Sequence, residues 1–153
     1  MQCRLEVGTG LGRFALPWGI QFGIDPCGKL VHLAKNHGID VVVGEGEHLP
    51  YRSGSFDHIL MMTVICFLDD VIAVFREVNR VLKPGGILVA GFIEKDGEIY
   101  RMYRSETTKG RFLQFANFWR AQEVDGFFRD AGFAQVSVIK RTRGFCVMNG
   151  RKH

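Results

Sequence analysis

The chain of 153 residues is 46% apolar and 24% charged, the balance of a soluble globular protein, and it is long enough for one core but not for two, so a single domain over residues 1–153 is expected. A net charge of +4 is mild, no apolar run approaches the ~20 residues that cross a bilayer, and Arg4, Glu6 and three glycines interrupt the apolar start, so neither a membrane span nor a signal peptide is expected. Cys3, Cys27, Cys66 and Cys146 form no CxxC pair, which argues against a metal site or a disulfide scaffold and fits a reducing, cytoplasmic setting.

Along the chain, strand-like apolar runs alternate with helical patterns, the sequence form of an α/β fold with a parallel sheet. Residues 5–7 close a first strand against a glycine loop, and residues 21–24 form a second that ends at Asp25. Pro26 reads as the first helical residue, Leu30, Val31 and Ala34 as one buried helix face, and Gly38 as the stop. Residues 41–43 make a short buried strand, and residues 57–62 a fourth strand after the turn at 52–55. Asp69 and Asp70 can cap the next helix, in which Val71, Val74, Phe75, Val78, Val81 and Leu82 recur at spacings of three and four. Lys83-Pro84-Gly85-Gly86 ends it, and residues 87–92 read as a fifth strand. Residues 94–120 are charged, aromatic and least regular. A helix with Val124, Phe127 and Phe128 inward then stops at Gly132. Strands at about 134–139 and 145–148, joined tightly at Arg143-Gly144, must be antiparallel, which makes the sheet mixed.

The chemistry concentrates in the glycine loop. Gly8, Gly10 and Gly12 follow a strand directly, where the backbone must turn sharply and approach a ligand, and residues without a Cβ allow both. The dinucleotide pattern GxGxxG would need glycine at position 13, where Arg13 stands; the loop instead reads ExGxGxG from Glu6. Asp25, at the end of the second strand, occupies the place from which a carboxylate accepts hydrogen bonds from both ribose hydroxyls. A structural turn followed by a helix-capping aspartate is the alternative.

The glycine segment, Gly23-Ile24-Asp25-Pro26, residues 44–51, Ser55-Phe56-Asp57 and residues 82–86 fall in an order and spacing that resembles class I S-adenosylmethionine-dependent methyltransferases. The likeness is closest to their small-molecule branch, of the ubiquinone/menaquinone-biosynthesis type, and covers nearly the whole chain. It implies a Rossmann-like three-layer sandwich, mostly parallel with an antiparallel C-terminal strand. It also implies S-adenosyl-L-methionine as cofactor and a small-molecule methyl acceptor as partner. Gly8 and Gly10 would contact the amino-acid part of the cofactor, with Thr9 and Gly12 completing the loop, and Glu6 would hold the loop or, through water, the ammonium. Asp25 with Pro26 would take the ribose, Glu45, Gly46 and Glu47 the adenine, and Met62-Thr63 would lie beside the sulfonium. Family members carry helices before the first strand, whereas here that strand begins almost at Met1, so those helices are expected to be missing. Arg4 also stands in what should be a buried central strand, and the connection from Gly12 to Gln21, interrupted by Pro17 and Gly19, is short for a full helix.

Methyl transfer from a sulfonium needs alignment and exclusion of water more than it needs a catalytic triad. His32, His37, His48 and His58 therefore read as surface or core histidines. Cys66 and Phe67 occupy the place where many relatives carry a histidine pair, and Cys66 reads as a buried apolar thiol. No residue is assigned as catalytic. Tyr100, Tyr103, Phe112, Phe115, Phe118 and Trp119 fit either a substrate lid or core packing. The basic residues of the second half, among them Lys109 and Arg111, read as a solvated surface, and no Asn/Asp-Pro-Pro-aromatic motif marks a DNA amino-methyltransferase, so no nucleic-acid partner is expected. The other readings are a cofactor-binding protein without catalysis, a truncated enzyme, and an RNA or protein methyltransferase.

Overall fold

The structure is a computed structural model that describes residues 1–105 and 116–153. Its frame is a seven-stranded sheet in the order β3-β2-β1-β4-β5-β7-β6. The strands are β1 (Arg4–Val7), β2 (Phe22–Asp25), β3 (Asp40–Val43), β4 (Phe56–Met62), β5 (Leu82–Ile93), β6 (Phe133–Thr142) and β7 (Phe145–Lys152). The first five run parallel; β7 is antiparallel to β5, and β6 to β7. The turn between β6 and β7 places Arg143 at φ 54° and Gly144 at φ 82°, the left-handed pair that suits a two-residue hairpin.

Helices cover both faces. On one, α2 (Val71–Val81) and α4 (Ala121–Asp130) pack Val74, Phe75, Val78, Val124 and Phe128 onto Leu5, Val7, Ile59 and Leu88. On the other, α1 (Gly28–Lys35) packs Val31 and Ala34 with Ile39, Val41 and Leu60. A further helix, α3 (Glu98–Ser105), follows β5. The mixed sheet, the three layers and the apolar stripe of α2 agree with the sequence reading. Asp70 caps α2 through its side chain, which accepts the Ala73 N–H at 3.0 Å.

Three local expectations need correction. Pro26 is not the first helical residue: α1 starts at Gly28, with Cys27 as its cap, because the Asp25 carboxylate accepts the Cys27 N–H and holds the intervening turn. Lys83-Pro84-Gly85-Gly86 does not separate α2 from a later strand. β5 already begins at Leu82, paired with Phe56, and the four residues form an irregularity before His58 meets Ile87. The late strands are also longer than predicted. Arg4 is accommodated at the first position of β1, where its guanidinium donates to Trp18 O at 2.6 Å and to Gln2 Oε1 at 2.9 Å.

Between β1 and β2 the chain makes successive turns and no helix, and Gly8, Gly10, Gly12 and Gly19 all have positive φ. No helix forms between β3 and β4 either, so residues 44–55 cross the sheet as a loop anchored by the buried Leu49. Among the described residues, no helix is long and apolar enough to cross a membrane.

Candidate functional site

The carboxyl ends of the parallel strands converge where an open α/β sheet receives its ligand. At the end of β1 the chain turns back on β2: the Gly8 and Thr9 N–H groups both donate to Ile24 O, at 2.8 and 3.1 Å. Gly8 has φ +78°, and a Cβ there would collide with Val64, so the loop after β4 presses on the glycine loop. Thr9 is buried; its hydroxyl donates to Glu6 O at 3.0 Å and its side chain fills the space beside Gly23. Gly10, at φ +55°, has open space where a Cβ would point. Gly12 is different, because a Cβ there would press on Ile39 and approach Ala34, so it allows close packing of the loop on α1.

Asp25 ties these parts together. Its Oδ2 accepts the Gly10 N–H and its Oδ1 the Cys27 N–H, each at 2.9 Å. Each oxygen retains a further lone pair, so the carboxylate can hold the loop and still accept from a ligand. Pro26 is exposed beside it. Glu6 lies beneath, only 1% exposed, and its Oε2 has no hydrogen-bond partner. Burial, with the Asp25 charge as a smaller contribution, pushes its carboxyl up to about 8. The Asp25 charge and the unpartnered Glu6 oxygen together suit an incoming cationic hydrogen-bond donor, which would favour release of the Glu6 proton.

The loop after β3 reaches the same end of the sheet. Gly44 N–H donates to Asp25 O at 3.1 Å, Gly46 rests against Val74 of α2, and Glu45 is exposed while Glu47 is half-buried. At the end of β4, Met62 lies across Gly91, and Thr63 N–H donates to Gly91 O at 2.8 Å. Thr63 has φ 57°, an uncommon backbone state for a threonine, where the chain turns out of the sheet after β4. The structure thus gathers Glu6, Gly8, Gly10, Asp25, the Glu45 loop and Thr63 at one end of the sheet. It turns the Thr9 side chain and Gly12 inward to packing.

The short 3-10 turn Ile65–Phe67 follows. Cys66 is buried and burial pushes its thiol up to about 11, so it is a packing residue, while Phe67 is 50% exposed at the rim. Asn117 N–H donates to Cys66 O at 2.7 Å and Lys95 N–H to Trp119 O at 3.0 Å, which straps residues 117–119 across the ends of β4 and β5. Of the aromatic group, Tyr100 packs edge-on to Phe118 and Trp119 to Phe127, with centroids 5.0 Å apart in both pairs. Tyr103 is exposed, and Phe112 and Phe115, like Lys109 and Arg111, lie outside the described residues. His58 lies near the opposite end of β4, lining a cavity of about 240 Å³ with Arg4, Trp18, Ile20 and Val89. Its Nδ1 has no partner, and burial lowers its pKa. The lining of that cavity includes no residue of the glycine loop.

The sequence reading missed an anchor of the Glu45 loop. Glu77 Oε2 accepts the Leu49 N–H at 2.7 Å, and Arg80 donates to Leu49 O, Tyr51 O and Ser53 Oγ at 3.0–3.2 Å. The spacing of three on a helix gave a signal for the ion pair but not for its backbone partners.

A family profile described as a methyltransferase domain matches residues 5–90. An uncharacterized protein of Methanocaldococcus jannaschii is 36% identical over 136 residues, covering 89% of this chain and 66% of that protein. The chain spans about half to two thirds of the length of the curated relatives it matches, down to 48% for a Mycobacterium tuberculosis protein. A demethylmenaquinone methyltransferase of Staphylococcus saprophyticus is 25% identical over 86% of this chain and 66% of its own length. The solved structure of an S-adenosylmethionine-dependent methyltransferase from Thermotoga maritima superposes with a TM-score of 0.91 at 31% identity, covering 100% of this chain and 83% of that one. With a glycine loop and an acidic second-strand terminus at the same end of a 3-2-1-4-5-7-6 sheet, the chain belongs to the class I S-adenosylmethionine-dependent methyltransferase family.

Proposed function

We propose that residues 1–153 form one S-adenosylmethionine-binding domain that transfers a methyl group to a small-molecule acceptor. The observation that carries the cofactor reading is the Glu6–Gly10–Asp25 cluster. A buried carboxyl oxygen has no partner in the protein, the loop above it has open space at Gly10, and the carboxylate beside it has acceptor capacity to spare. These residues fit a ligand with a cationic amino-acid end and a ribose diol. Glu6 and the Gly8–Gly10 backbone would hold the amino-acid end, with Thr9 and Gly12 fixing the loop from behind. Asp25, with Pro26 at its edge, would accept from the ribose, and Glu45, Gly46 and Glu47 would bound the adenine. When bound, the cofactor supplies an electrophilic methyl group on sulfur for in-line displacement. Met62 and Thr63 would line that point, and Phe67 with the 117–119 strap would help exclude water from it.

Two features support a small-molecule acceptor: the likeness to a staphylococcal demethylmenaquinone methyltransferase and the apolar rim beside Thr63. The segments after β4 and β5 carry no histidine, so an acceptor that arrives deprotonated, or as a neutral amine, suits the site. Four free cysteines suit a cytoplasmic setting. The test is methyl transfer from radiolabelled cofactor to panels of quinols, phenols and amines, with RNA and protein panels alongside. Label in a small-molecule product supports the proposal. Label only in RNA or protein replaces the acceptor class, and tight cofactor binding with no label in any panel replaces the enzyme by a binding protein.

A further inference from the structure

The loop of residues 44–55 joins two parallel strands without a helix, so it cannot satisfy its backbone groups by itself. For residues 49–55, partners come from α2. Gly46 lies against Val74, where a Cβ would stand 3.0 Å from Cγ1 and 3.5 Å from Val7 of β1. One turn further on, Glu77 Oε2 accepts the Leu49 N–H at 2.7 Å. Arg80 Nη2 donates to Leu49 O at 3.1 Å, and its Nη1 to Tyr51 O at 3.0 Å and Ser53 Oγ at 3.2 Å. The two side chains are joined to each other by Arg80 Nε to Glu77 Oε1 at 2.6 Å.

We infer that Glu77 and Arg80 are positioning residues for the cofactor's adenine: the pair fixes the backbone of residues 49–53 and so sets where residues 45–47 stand against the nucleobase. The inference rests on the reading above that the Glu45 loop bounds the adenine. The clamp is also an ion pair. The Arg80 hydrogen bond, aided by the Leu49 amide and the nearby His48, holds the Glu77 carboxyl below the usual range, so the pair stays ionised at neutral pH. The loop thereby hangs from the helix that also packs under β1 and β5. Its separation from the glycine loop is then set by rigid elements.

A clamp that acts on nucleobase recognition differs from one that only adds stability, because it changes selectivity between ligands. Calorimetric Kd values for S-adenosylhomocysteine and S-inosylhomocysteine, which differ only in the base, read this on the whole chain. The unaltered protein is expected to prefer the adenosine ligand. In Glu77→Ala and Arg80→Ala, binding of the adenosine ligand should weaken by about 5- to 20-fold and the preference should narrow toward unity. Arg80→Lys should retain part of it. Glu77→Gln keeps an oxygen for the Leu49 N–H while removing the charge opposite Arg80. It carries the test should an alanine variant fail to fold, and a narrowed preference in folded Glu77→Gln supports the inference. Unchanged affinity and preference in the folded variants, with binding intact in the unaltered protein, overturns the clamp alone. Failure of the unaltered protein to bind either ligand overturns the cofactor reading and the clamp with it.

Discussion

At the scale of single residues, two acidic side chains near one loop differ in how they are satisfied. Both are buried, but Asp25 accepts two backbone N–H groups, whereas Glu6 has one oxygen unpartnered. Asp25→Ala removes both the proposed ribose acceptor and the ties to Gly10 and Cys27. Binding of S-adenosylhomocysteine, measured by calorimetry, should weaken by about 1–3 kcal/mol. Asp25→Asn should cost less because its amide oxygen still accepts, and an unchanged Kd in the alanine variant would remove Asp25 from the site. Glu6 makes a prediction about pH. Its carboxyl, at about 8 in the folded chain against an ordinary 4.5, is protonated when folded and ionised when unfolded between those values. The native state then binds more protons, so the stability Glu6 confers is full below about 4.5 and is lost as pH rises toward 8. Glu6→Gln should flatten that decline and gain a few kcal/mol at pH 8.5 relative to pH 5. Urea titrations with the same slope against pH in both proteins would contradict it.

At the scale of elements, α2 was the most legible part of the chain: five apolar residues at helical spacing are buried together, while Leu82, read as a sixth, lies just past the helix at the start of β5. Phe75 at its centre packs on Phe128 and Phe133, with centroids 4.9 and 6.5 Å away. Phe75→Ala should cost roughly 3–5 kcal/mol, read as a lower urea midpoint at unchanged slope; a loss below 1 kcal/mol would mean that the core repacks around it. What the sequence hid has physical causes. Pro26 suits the first position of a helix, but the Asp25 carboxylate claims the next amide and delays the start to Gly28. The Lys83–Gly86 turn signal was real, yet Leu82 already pairs with Phe56 before the irregularity. In the site, spacing alone brought Gly10 and Asp25 together. By contrast, the Glu77–Arg80 clamp joins residues 28 and 31 positions from its partners, and no local pattern encodes such a contact.

At the scale of the whole molecule, the strand order puts β1 and β4 at the centre, so their loops meet and Val64 can press on Gly8. Topology therefore brings the loops of the candidate site together. The antiparallel β6–β7 hairpin extends the sheet beyond β5, and Lys152 ties it back by donating to Leu82 O at 2.7 Å, at the end of α2. The central claim, that the glycine-loop end of the sheet is a cofactor site, is tested most directly by titrating S-adenosylhomocysteine into the purified, folded chain in a calorimeter and following its melting temperature. Saturable heat at one ligand per chain is predicted, with a melting temperature that climbs with ligand concentration as mass action requires. No heat and no thermal shift at millimolar ligand would contradict the account.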